Sequence, residues 1–140
     1  MLLHIVARGR IGRGPEADLV ARYLRRVSWA TRVTEMPDRG GRIPPLPDRS
    51  VTVLLDEKGQ SLDSEDFARR LERWRDDGVH EARFLIGAAD GFDDATRAQA
   101  DLLLAFGKAT WPHLLVRSML AEQLWRATSI LANHPYHRAG

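Results

Sequence analysis

The chain reads as a single α/β domain whose mostly parallel sheet is covered by helices on both faces. Three observations predict this. Strand and helix patterns alternate as strand–helix–strand–strand–helix–strand–helix–strand–helix. Two inner segments, Val51-Thr52-Val53-Leu54-Leu55-Asp56 and Ala82-Arg83-Phe84-Leu85-Ile86, are nearly continuous apolar runs, as expected of strands buried on both sides. The 140 residues suit one core, and no repeat, low-complexity tract or linker divides them, so residues 1–140 are taken as one domain.

Taken in order, Leu2 to Arg8 is a buried strand. Gly9, Gly12 and Gly14, interleaved with Arg10 and Arg13, form a loop. Pro15 fits a first helical position and Glu16 and Asp18 its first turn. Leu19, Val20, Tyr23, Leu24 and Val27 recur at helical spacing, so this helix runs to about Ser28. Thr31 to Met36 is a second strand. Gly40, Gly41, Pro44, Pro45 and Pro47 exclude regular structure between Asp38 and Ser50. The third strand is the run from Val51. Asp63 or Ser64 caps the next helix, Phe67, Leu71 and Trp74 form its apolar stripe, and Gly78 follows it. The strand from Ala82 runs into Gly87-Ala88-Ala89-Asp90-Gly91. A short helix starts at Asp93 or Asp94, Leu102 to Phe106 is a last apolar run, and a long helix spans about His113 to Ala132. That helix carries apolar residues on more than one side, so it is expected to bury two faces, one of them against a partner subunit.

Composition narrows the classes. There is no cysteine, hence no disulfide framework or thiolate metal site. No apolar stretch approaches the roughly 20 residues that span a bilayer, and the start is too short for a signal peptide, so a cytoplasmic protein is expected. The net charge of +2 conceals basic ends and an acidic middle. Of the 21 basic residues only Lys58 and Lys108 are lysine. Arginine forks onto phosphate and stacks on bases, which suits an RNA partner, although a GC-rich genome produces the same bias.

In a parallel sheet ligands bind beyond the carboxyl ends of the strands. Three loops fall there, after Leu55, after Ile86 and after Phe106. The ending Asn133-His134-Pro135-Tyr136-His137-Arg138 gathers two imidazoles, a phenol and a guanidinium into six residues. Tyr and His stack on splayed bases, Arg holds phosphate, and His takes a proton near neutral pH. His134 and His137 have no carboxylate or cysteine near them in sequence, so no metal is expected. Glu122 and Arg126 are spaced for an i,i+4 ion pair, and His113 lies at the entry of the last helix.

Several motifs occur together: Val53-Leu54-Leu55-Asp56-Glu57-Lys58-Gly59, Leu85-Ile86-Gly87-Ala88-Ala89-Asp90-Gly91, Pro112-His113-Leu114-Leu115-Val116-Arg117, Ala121-Glu122-Gln123-Leu124-Trp125-Arg126-Ala127 and the Asn-His-Pro-Tyr-His-Arg ending. In this order they resemble the large-subunit ribosomal RNA methyltransferase H family of the SPOUT superfamily, over essentially the whole chain. The resemblance implies a C-terminal trefoil knot, a homodimer, and methylation of N3 of a pseudouridine in 23S rRNA. S-adenosyl-L-methionine would be held by Leu55, Gly87, Phe106, Gly107, Lys108, Ala109, Thr110 and Trp111. The partner would be the ribosome or large subunit, with no membrane and no metal. His134 or His137 would serve as base, while Tyr136 and Arg138 grip the nucleotide. The family usually has Gly where Ala88 stands, and a positive φ there would strain the Cβ. Many members carry an extra helix before the third strand, where this chain has the proline-rich segment. The rival class is a non-catalytic RNA-binding assembly factor of the same fold, distinguished by failure to bind S-adenosylmethionine.

Overall fold

A computed structural model describes residues 1–88 and 90–133. The elements are β1 (Leu2–Arg8), α1 (Pro15–Arg26), β2 (Thr31–Met36), β3 (Ser50–Gln60), α2 (Ser64–Asp76), β4 (Glu81–Ile86), α3 (Asp94–Ala98), β5 (Leu102–Leu104) and α4 (His113–Leu131). The five strands form one sheet in the order β2-β1-β4-β3-β5, and every neighbouring pair is parallel. The element order is the one the sequence predicts. Local chemistry accounts for the starts of the helices. Pro15 opens α1 with Glu16 and Asp18 in its first turn, and the Asp63 and Asp93 carboxylates cap α2 and α3 by accepting from the N–H groups of Asp66 and Thr96.

Alternate strand residues build the main core. Leu3, Ile5 and Ala7 of β1, Val53 of β3, Ala82, Phe84 and Ile86 of β4, and Leu102 and Leu104 of β5 pack with Phe67, Ala68, Leu71 and Trp74 of α2 and with Leu120, Leu124 and Ala127 of α4. Phe67 meets Phe84 edge to face at 6.1 Å between ring centroids. Against α4, α1 adds Tyr23 stacked on Trp125 at 5.4 Å, with the Arg26 guanidinium 4.8 Å from the Trp125 ring.

The opposite face is lined differently. Its centre is a buried polar chain in which His4 Nδ1 meets Glu81 Oε2 at 3.1 Å and Arg83 Nε donates to the same oxygen at 2.8 Å. Arg83 then donates to the carbonyls of Pro44 and Pro45. The proline-rich segment is therefore irregular, as its composition dictates, yet latched onto the sheet by a buried guanidinium. α3 stands beyond it on the same side.

β3 is longer than its apolar run. Leu55 and Gln60 both register on Leu104, so residues 56–59 wrap the end of β5, and Ala105 N–H donates to Gln60 O at 2.9 Å. Gly59 makes the wrap possible, because a Cβ there would lie 2.5 Å from the carbonyl carbon of Leu103. Among the described residues no helix is long and apolar enough to cross a membrane.

Candidate active site

Beyond the carboxyl ends of β3, β4 and β5 the three loops enclose a cleft of about 530 Å³. Such a volume suits a small organic ligand. Its apolar wall is Leu55, Ile86, Leu104, Phe106 and Val116, and its charged lining is Asp56, Glu57, Asp90 and Arg97. The loop after β5 is fixed by side chains rather than regular structure. Thr110 Oγ1 donates to Glu57 Oε2 at 2.5 Å, Trp111 Nε1 donates to Phe106 O at 2.9 Å, and Gly107 takes a φ of +86°. These bonds tie residues 106–111 to the strand end of β3, so both sides of the cleft are held together.

Asp56 sits between strand and cleft. Its carboxylate accepts from Lys58 N–H at 2.9 Å and from Arg97 Nε at 2.6 Å. Burial pushes this carboxyl up, but those two hydrogen bonds and the charges of Arg97 and Lys58 outweigh burial and hold it below its ordinary value. Arg97, which also lines the cleft, neutralises Asp56, so Glu57 and Asp90 are the carboxylates that suit a cationic ligand group there.

Gly87 needs its lack of side chain for room, not for backbone freedom. Its φ is not positive, but a Cβ would come within 3.2 Å of Phe92 Cζ. Ala88 has no positive φ either, so the strain that an alanine would suffer in a left-handed loop does not arise.

On the far side of Gly87, Ala88 and residues 90–92 lies a second cleft, of about 850 Å³. It is walled by Val6, Met36, Ile43 and Leu85 and bordered by Arg8, Arg39, Asp38, Asp90 and Asp93. His113 lines both clefts. One turn further along α4, Arg117 is buried and donates to Glu35 Oε2 at 2.5 Å and to Gly9 O at 3.1 Å, while Ile11 N–H donates to the same Glu35 oxygen at 2.8 Å. The loop after β1 is thereby pinned to the start of α4, beside the site.

Of the residues singled out in the sequence, Leu55, Gly87, Phe106, Ala109, Thr110 and Trp111 come together around the first cleft, whereas Gly107 and Lys108 are not in its lining. His134, Tyr136, His137 and Arg138 lie outside the described residues. Arg126 Nε donates to Glu122 Oε1 at 2.8 Å, the expected i,i+4 pair. Sequence reasoning missed Asp56, Glu57, Arg97 and His113 as site residues. Asp56 and Glu57 had a usable signal, two acids at the end of a buried strand. Arg97 had none, because its contact spans 41 positions.

A family model described as "Predicted SPOUT methyltransferase" matches residues 1–137. The chain is 74% identical over 140 residues to "Ribosomal RNA large subunit methyltransferase H" of Rhizorhabdus wittichii, covering 100% of both chains. It is 68% identical over 143 residues to the protein of that name from Novosphingobium aromaticivorans, and 58% identical over 142 residues to that of Zymomonas mobilis, again with 100% of both chains covered in each case.

Proposed function

The chain belongs to the SPOUT methyltransferase family, and on that premise we propose that it methylates N3 of a pseudouridine in 23S ribosomal RNA. The methyl donor in this reading is S-adenosyl-L-methionine, and the substrate is the assembled ribosome or large subunit in the cytoplasm. One observation carries the reading: Leu55, Gly87, Phe106 and residues 109–111, from three separate loops, meet in one cleft at the strand ends. The residues present fit the donor. Leu55, Ile86, Leu104 and Phe106 offer an apolar slot for a flat base, and Glu57 and Asp90 suit a sulfonium and an ammonium group.

When bound, S-adenosylmethionine supplies an electrophilic methyl group. The chain's own task is to hold acceptor nitrogen, methyl and sulfur in line and to keep water out. N3 of the base must lose its proton as it is methylated. We assign His134 or His137 as acceptor of that proton, and Tyr136 and Arg138 as the grip on the nucleotide. The trefoil knot belongs to the same reading.

The reading includes a homodimer. A groove of about 390 Å³ between α1 and α4 is lined by Leu19, Tyr23, Leu115 and Met119 together with Ser118, Glu122 and Gln123, and no described residue fills it. Sedimentation at micromolar concentration should give a dimer, and a monomer there would remove this part. Recognition on the particle follows from charge, since +2 per chain attracts a bare hairpin weakly. The test of the whole is mass spectrometry of rRNA nucleosides from a deletion strain, with and without the gene restored. A methylated pseudouridine that persists in the deletion strain would sink the reading.

A further inference from the structure

The second cleft has no role in the reading above, yet it shares a wall of Gly87, Ala88, Asp90, Gly91, Phe92 and His113 with the first. A methyl donor in the first cleft needs its acceptor within bonding distance of that wall. The second cleft opens there, is larger, and combines an apolar floor of Val6, Met36 and Leu85 with two guanidiniums, Arg8 and Arg39, and three carboxylates, Asp38, Asp90 and Asp93. An apolar floor suits the face of a base. The Arg39 guanidinium on the rim makes no hydrogen bond or ion pair among the described residues, and suits a phosphate.

His113 stands where the two clefts meet. Its imidazole has no hydrogen-bond partner among the described residues, although it is half-buried. Its Nε2 lies 3.9 Å from the point where a Cβ on Gly9 would stand, and Asp38 Oδ1 lies 3.0 Å from that same point. The ring tip therefore faces the end of β1, on the side of the second cleft. The carboxylate beside it repels a phosphate, so the charged end of a nucleotide belongs at Arg39 and the base at His113. The backbone under the ring is held by the Arg117 contact to Gly9 O.

We propose that the second cleft seats the target nucleotide and that His113 is a catalytic residue, donating a hydrogen bond to a base carbonyl next to the nitrogen that is methylated. The proposal rests on the methyltransfer reading above. As N3 loses its proton, negative charge spreads onto the two flanking carbonyl oxygens, and a preorganised donor at one of them favours that state. The N3–H bond breaks and its proton passes to the base assigned above. The N3–C bond forms, the carbon–sulfur bond breaks, and sulfur keeps the electron pair as a neutral thioether. His113 keeps its own proton throughout.

The test uses the full chain with ribosomal particles as substrate. In His113→Ala, single-turnover methyl transfer should fall by about 10²-fold, the scale of one lost donor at a developing oxyanion. His113→Gln, which retains an N–H donor, should recover part of it. S-adenosylmethionine affinity, read by calorimetry, should stay within about twofold in both. Ile43→Trp, which fills the second cleft from its rim, should slow transfer by about tenfold with donor affinity equally preserved. A readout apart from activity is the ¹⁵N spectrum of the imidazoles. Millimolar pseudouridine 5′-monophosphate, added with S-adenosylhomocysteine present, should move the signal that is missing in His113→Gln. Near wild-type transfer in His113→Ala, or an unmoved His113 signal, would overturn the proposal. So would a loss of donor affinity that matches the loss of transfer, because His113 would then serve the first cleft. If the wild-type protein transfers no methyl group at all, the methyltransfer reading fails first, a result plainly distinct from an active wild type with an indifferent His113.

Discussion

The Arg117 guanidinium of α4 meets the Glu35 carboxylate of β2 at 2.5 Å across 82 positions of sequence. Arg117 is 1% exposed and Glu35 36%, so the pair is buried on one side only. It joins the last helix to the edge strand and, through Gly9 O and Ile11 N–H, to the loop after β1. Among the described residues Arg117 Nε has no hydrogen-bond partner. Arg117→Met should cost about 2–3 kcal/mol, below the range for a fully buried pair because water can reach the abandoned Glu35. Urea unfolding would measure it. A change below ~0.5 kcal/mol would mean that the bridge is incidental.

The same carboxylate sets part of the acid response. Burial raises the Glu35 pKa, but the Arg117 and Ile11 hydrogen bonds and the charges of Arg117 and Arg10 outweigh it, and the net shift is downward. Asp56 is lowered in the same way, and Asp93 is lowered by its bonds to Thr96. A depressed folded pKa contributes stability that is present above the ordinary carboxylate values of 4.5 and 3.8 and is lost as pH falls through the folded values. Melting temperature should therefore hold from pH 7 to about 5 and drop below about 4. Glu35→Gln should be less stable at pH 7 and show a shallower drop; an identical slope would remove Glu35 from the account.

Gly59 should be the least replaceable glycine. A Cβ would stand 2.5, 2.6 and 2.7 Å from the carbonyl carbon and oxygen of Leu103 and the nitrogen of Leu104, all backbone atoms that cannot swing away. Gly59→Ala should cost about 3 kcal/mol by forcing β3 and β5 apart. Gly12→Ala, with nothing within 4 Å, meets only its φ of +73° and should cost about 1 kcal/mol. Equal costs would show that the wrap yields easily.

Gly87→Val tests the first cleft. The nearest obstacle is the Phe92 ring at 3.2 Å, which can rotate, so the fold should survive with a melting temperature only a few degrees lower. The added methyls, or a displaced Phe92, would occupy the ligand's place, and S-adenosylmethionine affinity should fall at least about tenfold. Unchanged affinity by calorimetry in the folded variant would put the donor elsewhere.

What the sequence disclosed about these sites depended on range. Runs such as Val51 to Leu55 and caps such as Asp63 are local, and they placed the nine elements of the described residues within a few positions. The three strand-end loops followed from parallel topology alone. Resemblance, not spacing, pointed to Thr110 and Trp111 in particular. The Arg83 latch on the proline-rich segment, the wrap around Leu104 and the Glu35–Arg117 bridge are long-range pairings, and no periodicity encodes them. His113 was legible as a helix entry, but its place between two clefts depends on where β1 and β2 end.

The ending of the chain is the last test, and its residues call for a division of labour. Imidazole, phenol and guanidinium suit base stacking, proton transfer and phosphate contact, whereas among the described residues those from β3 to α4 line the first cleft. Removing residues 134–140 should leave donor affinity within about twofold and cut methyl transfer by at least 10²-fold, the upper scale for one lost acid–base group together with lost positioning. Single changes should then separate the roles. Arg138→Ala should weaken particle binding and lower the slope of its salt dependence by about one, the signature of one phosphate contact. His134→Ala and His137→Ala should differ: the residue that accepts the proton should lower turnover with particle affinity kept, and higher pH should partly restore it, since the imide then ionises unaided. The measurements are calorimetry for the donor and single-turnover methylation across pH for the chemistry. A truncated protein that loses donor binding as severely as it loses transfer would make the ending part of the first cleft, and the division drawn here would be wrong.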